Sequence, residues 1–104
     1  MLKGVWLKDG VYPAKDMTPR EVLREENCAV IIDDENREIY LWVGAKAKAI
    51  DKFKAARLAH MLNWRLFGGA ARIIQERNEI LNALEKFGRI DAEIPAGEIK
   101  AILG

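Results

Sequence analysis

Between Lys46 and Phe67 the apolar positions recur at helical spacing on two sides of the chain instead of one. With residues placed at roughly 100° steps, Ala55, Leu58, Ala59, Leu62 and Leu66 share one side, and Ile50, Phe53, Arg57, Met61 and Trp64 share the other. A helix on a sheet turns one stripe inward. Ala55 and Ala59 let a helix lie close on a flat surface, so their side is expected to face the core. Arg57 sits at the centre of the other side, and arginine is seldom fully buried without a partner. The aromatic, methionine and arginine stripe is therefore expected to point outward. Those residue types are enriched at protein interfaces.

Elsewhere the pattern has the shorter period of strands. Gly4 to Lys8 reads as a strand, Asp9-Gly10 as a hairpin turn, and Val11-Tyr12 as the return strand stopped by Pro13. Thr18-Pro19-Arg20-Glu21 has the form of a capping box with proline at N1, which predicts a short helix from Pro19 to about Glu25. Cys28 to Ile32 is a continuous apolar run between polar turns, as in a central strand covered on both faces. After Asp33-Asp34-Glu35-Asn36, the residues Glu38 to Val43 alternate, with Ile39, Leu41 and Val43 on one face and Tyr40 and Trp42 on the other. Gly68-Gly69 stops the long helix. Ala71 to Gln75 reads as a further strand, Glu79 to Phe87 as a second helix, and Arg89-Ile90 as a short closing strand. Pro95 to Leu103 reads either as a last helical turn or as a loose tail. The expected architecture is α+β: a mixed sheet of about five strands between one long helix (about 47–67) and one shorter helix (about 79–87).

Composition narrows the function classes. The 104 residues suit one domain, 1–104, with a single core. The net charge of +1, with both signs interspersed, gives no electrostatic case for nucleic acid or an anionic membrane. Met1 to Trp6 holds no apolar stretch long enough for a signal peptide, and no run spans a bilayer. The lone cysteine, Cys28, fits a reducing compartment, so a cytoplasmic location is expected. An enzyme reading finds little support. His60 is the only histidine and has no serine or acid beside it in sequence, Cys28 opens a buried strand, and Gly68-Gly69 follows a helix instead of preceding one.

The succession Asn27-Cys28-Ala29-Val30-Ile31-Ile32-Asp33, then the strand ending Trp42-Val43-Gly44, then Asp51-Lys52 with Ala55 and Ala59 resembles the gelsolin-like domain of the gelsolin, villin and severin family. The resemblance runs from about Val11 to Phe87. It implies a sheet between a long and a short helix, and a long helix whose outer face docks in the cleft of an actin subunit. Carried over position by position, with the outward stripe itself, the implied partner-binding residues are Ile50, Phe53, Lys54, Arg57, His60, Met61 and Trp64. The resemblance also implies a Ca²⁺ site at Glu26, Asn27 and Asp51. There Asn27 stands where the family has an aspartate and Asp51 where it has a glutamate; both changes weaken a site for a cation that wants several oxygen ligands. Two readings follow. The first is an actin-binding module of the cytoskeleton that sequesters monomers or caps filaments. The alternative is an adaptor domain that uses the same helix face for a second copy of itself, as a homodimer, or for another protein.

Overall fold

The computed structural model describes residues 1–104. Strands β1 (Leu2–Leu7) and β2 (Val11–Pro13) form the N-terminal hairpin. One helical turn, α1 (Pro19–Val22), leads to strands β3 (Cys28–Asp33) and β4 (Glu38–Val43). The long helix α2 (Ala49–Phe67) carries the chain to β5 (Arg72–Ile74), followed by α3 (Arg77–Leu84), β6 (Ala92–Glu93) and α4 (Ala96–Leu103). The sheet runs β2-β1-β3-β4-β5, with β6 pairing the start of β1 at Lys3–Gly4, on the edge that β2 also uses. Neighbours pair antiparallel except β4 with β5 and β1 with β6. A parallel β4–β5 pair needs a long crossover, and α2 supplies it.

Strand alternation sorts the side chains into two cores. Val5 and Leu7, then Cys28, Val30 and Ile32, then Ile39 and Leu41 face α2, where they meet Ala55, Leu58, Ala59 and Leu62. Leu2, Ala29, Ile31, Tyr40 and Trp42 face the other way, onto Val22, Ile80, Leu84 and Ile90. The central strand β3 is buried along its whole length, as its unbroken apolar run requires. The helix–sheet–helix arrangement expected from the pattern is the one observed.

The boundaries differ for local reasons. Helix α2 begins at Ala49, because residues 45–48 form a turn in which Ala47 N donates to Gly44 O and Lys46 N to Glu25 O. The capping box at Thr18 is formed on both sides, yet α1 stops at Val22, where the chain folds back and Trp42 Nε1 donates to Arg24 O at 2.8 Å. Helix α3 starts two residues earlier than expected, since the Glu76 carboxylate accepts from Asn78 N and Glu79 N. Arg89-Ile90 is not a strand. Ile90 is buried and tied to Asp16 and Met17 by backbone hydrogen bonds, and the pairing with β1 falls at Ala92–Glu93 instead. Pro95 to Leu103 is neither a single turn nor a loose tail: α4 packs beside α2 on the same side of the sheet.

Leu66 is a correction. It lies on the Ala55–Ala59 side as expected, but it is 41% exposed. A helix of 19 residues is about 28 Å long, whereas strands of six residues reach only about 20 Å. The last turn of α2 overhangs the sheet, and Leu66 has no strand beneath it.

Candidate functional site: the outward face of α2

Asp51, Ala55, Leu58, Ala59 and Leu62 are the buried residues of α2, so the helix spends one stripe on the sheet. On the opposite side Phe53 is 66% exposed, Trp64 68% and Ile50 51%. Arg57 and His60 are exposed between them. Three large apolar side chains left open along one helix face form a patch of the kind that marks an interaction site. Trp64 is held in place at the far end, where its ring lies against Gly69 so closely that a Cβ there would meet Cζ3 at 3.2 Å. Gly68 and Gly69 both have positive φ, and the backbone turns away from the ring without a side chain of its own.

The charges that α2 itself leaves in the open are all positive. Lys52, Lys54, Arg57 and Arg65 are the cations of α2, and its single acid, Asp51, is buried. Asp51 accepts from Asp9 N with both carboxylate oxygens at 3.2 Å, which ties the β1–β2 hairpin to the first turn of α2. The outward face therefore combines an aromatic and aliphatic centre with a positive fringe. Such a surface fits an apolar cleft with carboxylates at its rim.

Two members of the expected set are only partly free. Met61 is half-buried against the α2-side core, which Ile99, Ile102 and Leu103 of α4 also join. Lys54 is half-buried on the wall of a groove between β2 and α4. On the same flank, Arg57 Nε donates to Ile102 O at 3.2 Å and Arg65 pairs with Glu98. The Arg65 guanidinium holds the Glu98 carboxyl below its ordinary range. The structure thus brings Ile50, Phe53, Arg57, His60 and Trp64 into one open face and sets Lys54 and Met61 at its edge beside α4. The pairing of Glu98 with α2 escaped sequence reasoning, although Ile99, Ile102 and Leu103 carry an i, i+3, i+4 spacing that marks an apolar helix face.

No family model and no curated protein matches the chain. Among solved structures, ProGel from Thorarchaeota, crystallised as a complex with rabbit actin, is similar at 26% identity. The match covers 81% of this chain and 99% of that one, with a TM-score of 0.63. The fold is gelsolin-like.

In this gelsolin-like fold the three residues at the implied Ca²⁺ positions each have partners of their own. Glu26 is exposed and its carboxylate lies 3.5 Å from Arg24. Asn27 is buried, and its Nδ2 donates to Val22 O at 2.8 Å and Cys28 O at 3.0 Å, on the α1 side of the sheet. The Asp51 carboxylate is on the α2 side and engaged with Asp9 N. No three His, Cys, Asp or Glu side chains stand close enough together to hold an ion. Calcium prefers six to eight oxygens with carboxylates among them; Asn27 supplies no carboxylate, and that of Asp51 already accepts from Asp9 N. The packing gives Asp51 a structural role. Asp51→Ala leaves Asp9 N without its acceptor and is expected to cost about 1–3 kcal/mol. In thermal melts a purely structural role predicts the same loss in calcium-containing and in chelator-containing buffer; a loss seen only with calcium would assign Asp51 to a metal site.

Proposed function

We propose that this gelsolin-like domain binds actin or an actin-like protein, with the outward face of α2 seated in an apolar cleft of one subunit. The observation that carries the reading is the likeness to a ProGel chain crystallised with actin. The open row of Ile50, Phe53, Arg57, His60 and Trp64 supports it independently, since such a row on a soluble domain asks for a partner. One such face suits monomer binding, sequestration or capping, without strong filament severing. The domain acts in the cytoplasm, where its partner is assembled, and no helix is long and apolar enough to cross a membrane. Its chemistry is recognition; the only histidine, His60, stands on the docking face and has no acid partner within hydrogen-bonding reach.

A polymerisation and pelleting assay tests this directly. Added at tens of micromolar, the protein is expected to slow assembly or shift actin to the supernatant, to the same extent with calcium and with chelator. Unchanged assembly of actin from the same source would overturn the actin reading. In that case sedimentation of the protein alone separates a homodimer from an adaptor that awaits another partner.

A further inference from the structure

The C-terminal helix α4 does more than cover core. Its apolar residues Ile102 and Ile99 belong with the α2-side core, while its polar contacts reach Arg57 within the open face of α2 and Arg65 at its flank. Arg57 Nε donates to Ile102 O at 3.2 Å. Ile102 lies in the last turn of α4, which ends at Gly104 with φ +93°. Carbonyls in a last turn lack intrahelical donors, and the negative end of the helix dipole favours a cation. Arg57 thus meets both needs from a neighbouring helix. About two turns further along α2, Arg65 pairs with Glu98 in the first turn of α4. The two arginines therefore hold α4 at both of its ends.

For Arg57 this contact has a geometric consequence. A guanidinium offers a planar fork of five N–H donors on a long, flexible stem. With Nε fixed to Ile102 O, the plane of the fork is set and its Nη donors remain for another acceptor. Arg57 is still exposed, and α4 leaves Phe53 and Trp64 uncovered. The helix sits along the flank of the docking face and leaves its centre free.

Resting on the actin reading above, we infer that α4 is a positioning element of the docking face, which through Ile102 O holds Arg57 oriented toward a carboxylate on the partner. Binding then starts from an arginine whose rotamer freedom is already largely spent.

The full chain carries the test. In the free protein the Arg57 Nε–H signal in a nitrogen-15 spectrum is expected to exchange with water at least tenfold more slowly than that of Arg20, which is exposed and makes no such bond. Equal exchange would overturn the inference without any variant being made. In the second arm, Ala101→Pro displaces the last turn of α4, and Arg57→Ala removes the group it holds. Each alone is expected to weaken actin binding about five- to tenfold, and Ala101→Pro should have no further effect in the Arg57→Ala background. If Ala101→Pro weakens binding by the same factor in both backgrounds, or not at all while Arg57→Ala does, α4 does not act through Arg57. If the protein binds actin but Arg57→Ala leaves the affinity unchanged, the positioning role is lost. If the wild-type protein does not bind actin, it is the function reading that fails.

Discussion

Replacing Phe53 and Trp64 together with alanine is expected to lower actin affinity at least about a hundredfold while the fold survives. Both side chains are about two-thirds exposed, so neither supports the core. Substitutions at such positions usually change stability by only about 0.5 kcal/mol. At an interface the same residues change character. Tryptophan is among the residues richest in binding energy, and a buried hot spot is worth about 2 kcal/mol or more, which is roughly thirtyfold in affinity. Two such residues on one face need not add, so the hundredfold figure is a floor well below the product of the two. The pair is a sharper probe than Arg57 with Met61. Met61 packs on the core, and its removal would mix a folding defect with a binding defect. Leu81→Ala serves as the control, because Leu81 is 41% exposed on α3, on the opposite side of the sheet. A titration with labelled monomeric actin reads the three proteins side by side. Affinity loss below threefold for the double variant, with an unchanged melting curve, would remove the α2 face from the mechanism.

Gly44→Ala is expected to be the most damaging methyl group that can be added to this chain. A Cβ at Gly44 would stand 2.4 Å from both Asn27 O and Glu25 O and 2.7 Å from Arg24 O. These are backbone atoms, and each is in use: Asn27 O accepts from Gly44 N, Glu25 O from Lys46 N and Arg24 O from Trp42 Nε1. No side chain can rotate away to make room. The segment 24–27 would have to shift against β4 and give up those bonds. Overpacking typically costs about 1–3 kcal/mol, and each lost hydrogen bond about 1 kcal/mol more. A total loss of at least about 3 kcal/mol is a large share of the 5–15 kcal/mol that holds a domain together. The midpoint of thermal unfolding should fall by more than about 12 °C. A fall of under about 4 °C would mean that segment 24–27 yields more easily than its bonds imply. Actin affinity of the molecules that remain folded should be unchanged, since Gly44 is buried and stands apart from the outward face of α2.

Gly44 also shows how a sequence signal and its cause can be separated. The Trp42-Val43-Gly44 ending was legible in the chain as a strand closing on a glycine. That the glycine is required by three carbonyls from a segment 17 to 20 residues earlier is visible only in the folded chain. The same holds for Trp42, whose Nε1 binds Arg24 O and whose ring lies 4.5 Å from the Arg77 guanidinium. Its burial followed from alternation along β4. Its partners come from α1's loop and α3, and no local pattern names them.

Whatever depends on neighbours a few residues apart was legible in the chain alone. The alternation along β3 and β4 sorts side chains onto two faces, so the two cores were predictable from period alone. The 3.6-residue period divided α2 into an alanine–leucine stripe and an aromatic–arginine stripe, and the second is open to solvent. Thr18 with Glu21, and Gly68 with Gly69, marked helix ends through hydrogen bonds and dihedrals within one turn. The tertiary structure decided everything that joins distant positions. Leu2 N meets Asp91 Oδ2 across 89 residues, Asp9 N meets Asp51 across 42, and Arg57 meets Ile102 O across 45. Those contacts set where β6 pairs along β1, made Asp51 the acceptor that ties the hairpin to α2, and brought α4 beside the outward face of α2. Leu66 belongs with them, because its exposure depends on where the sheet ends beneath α2. Periodicity records which way a side chain points; only packing determines what stands opposite it.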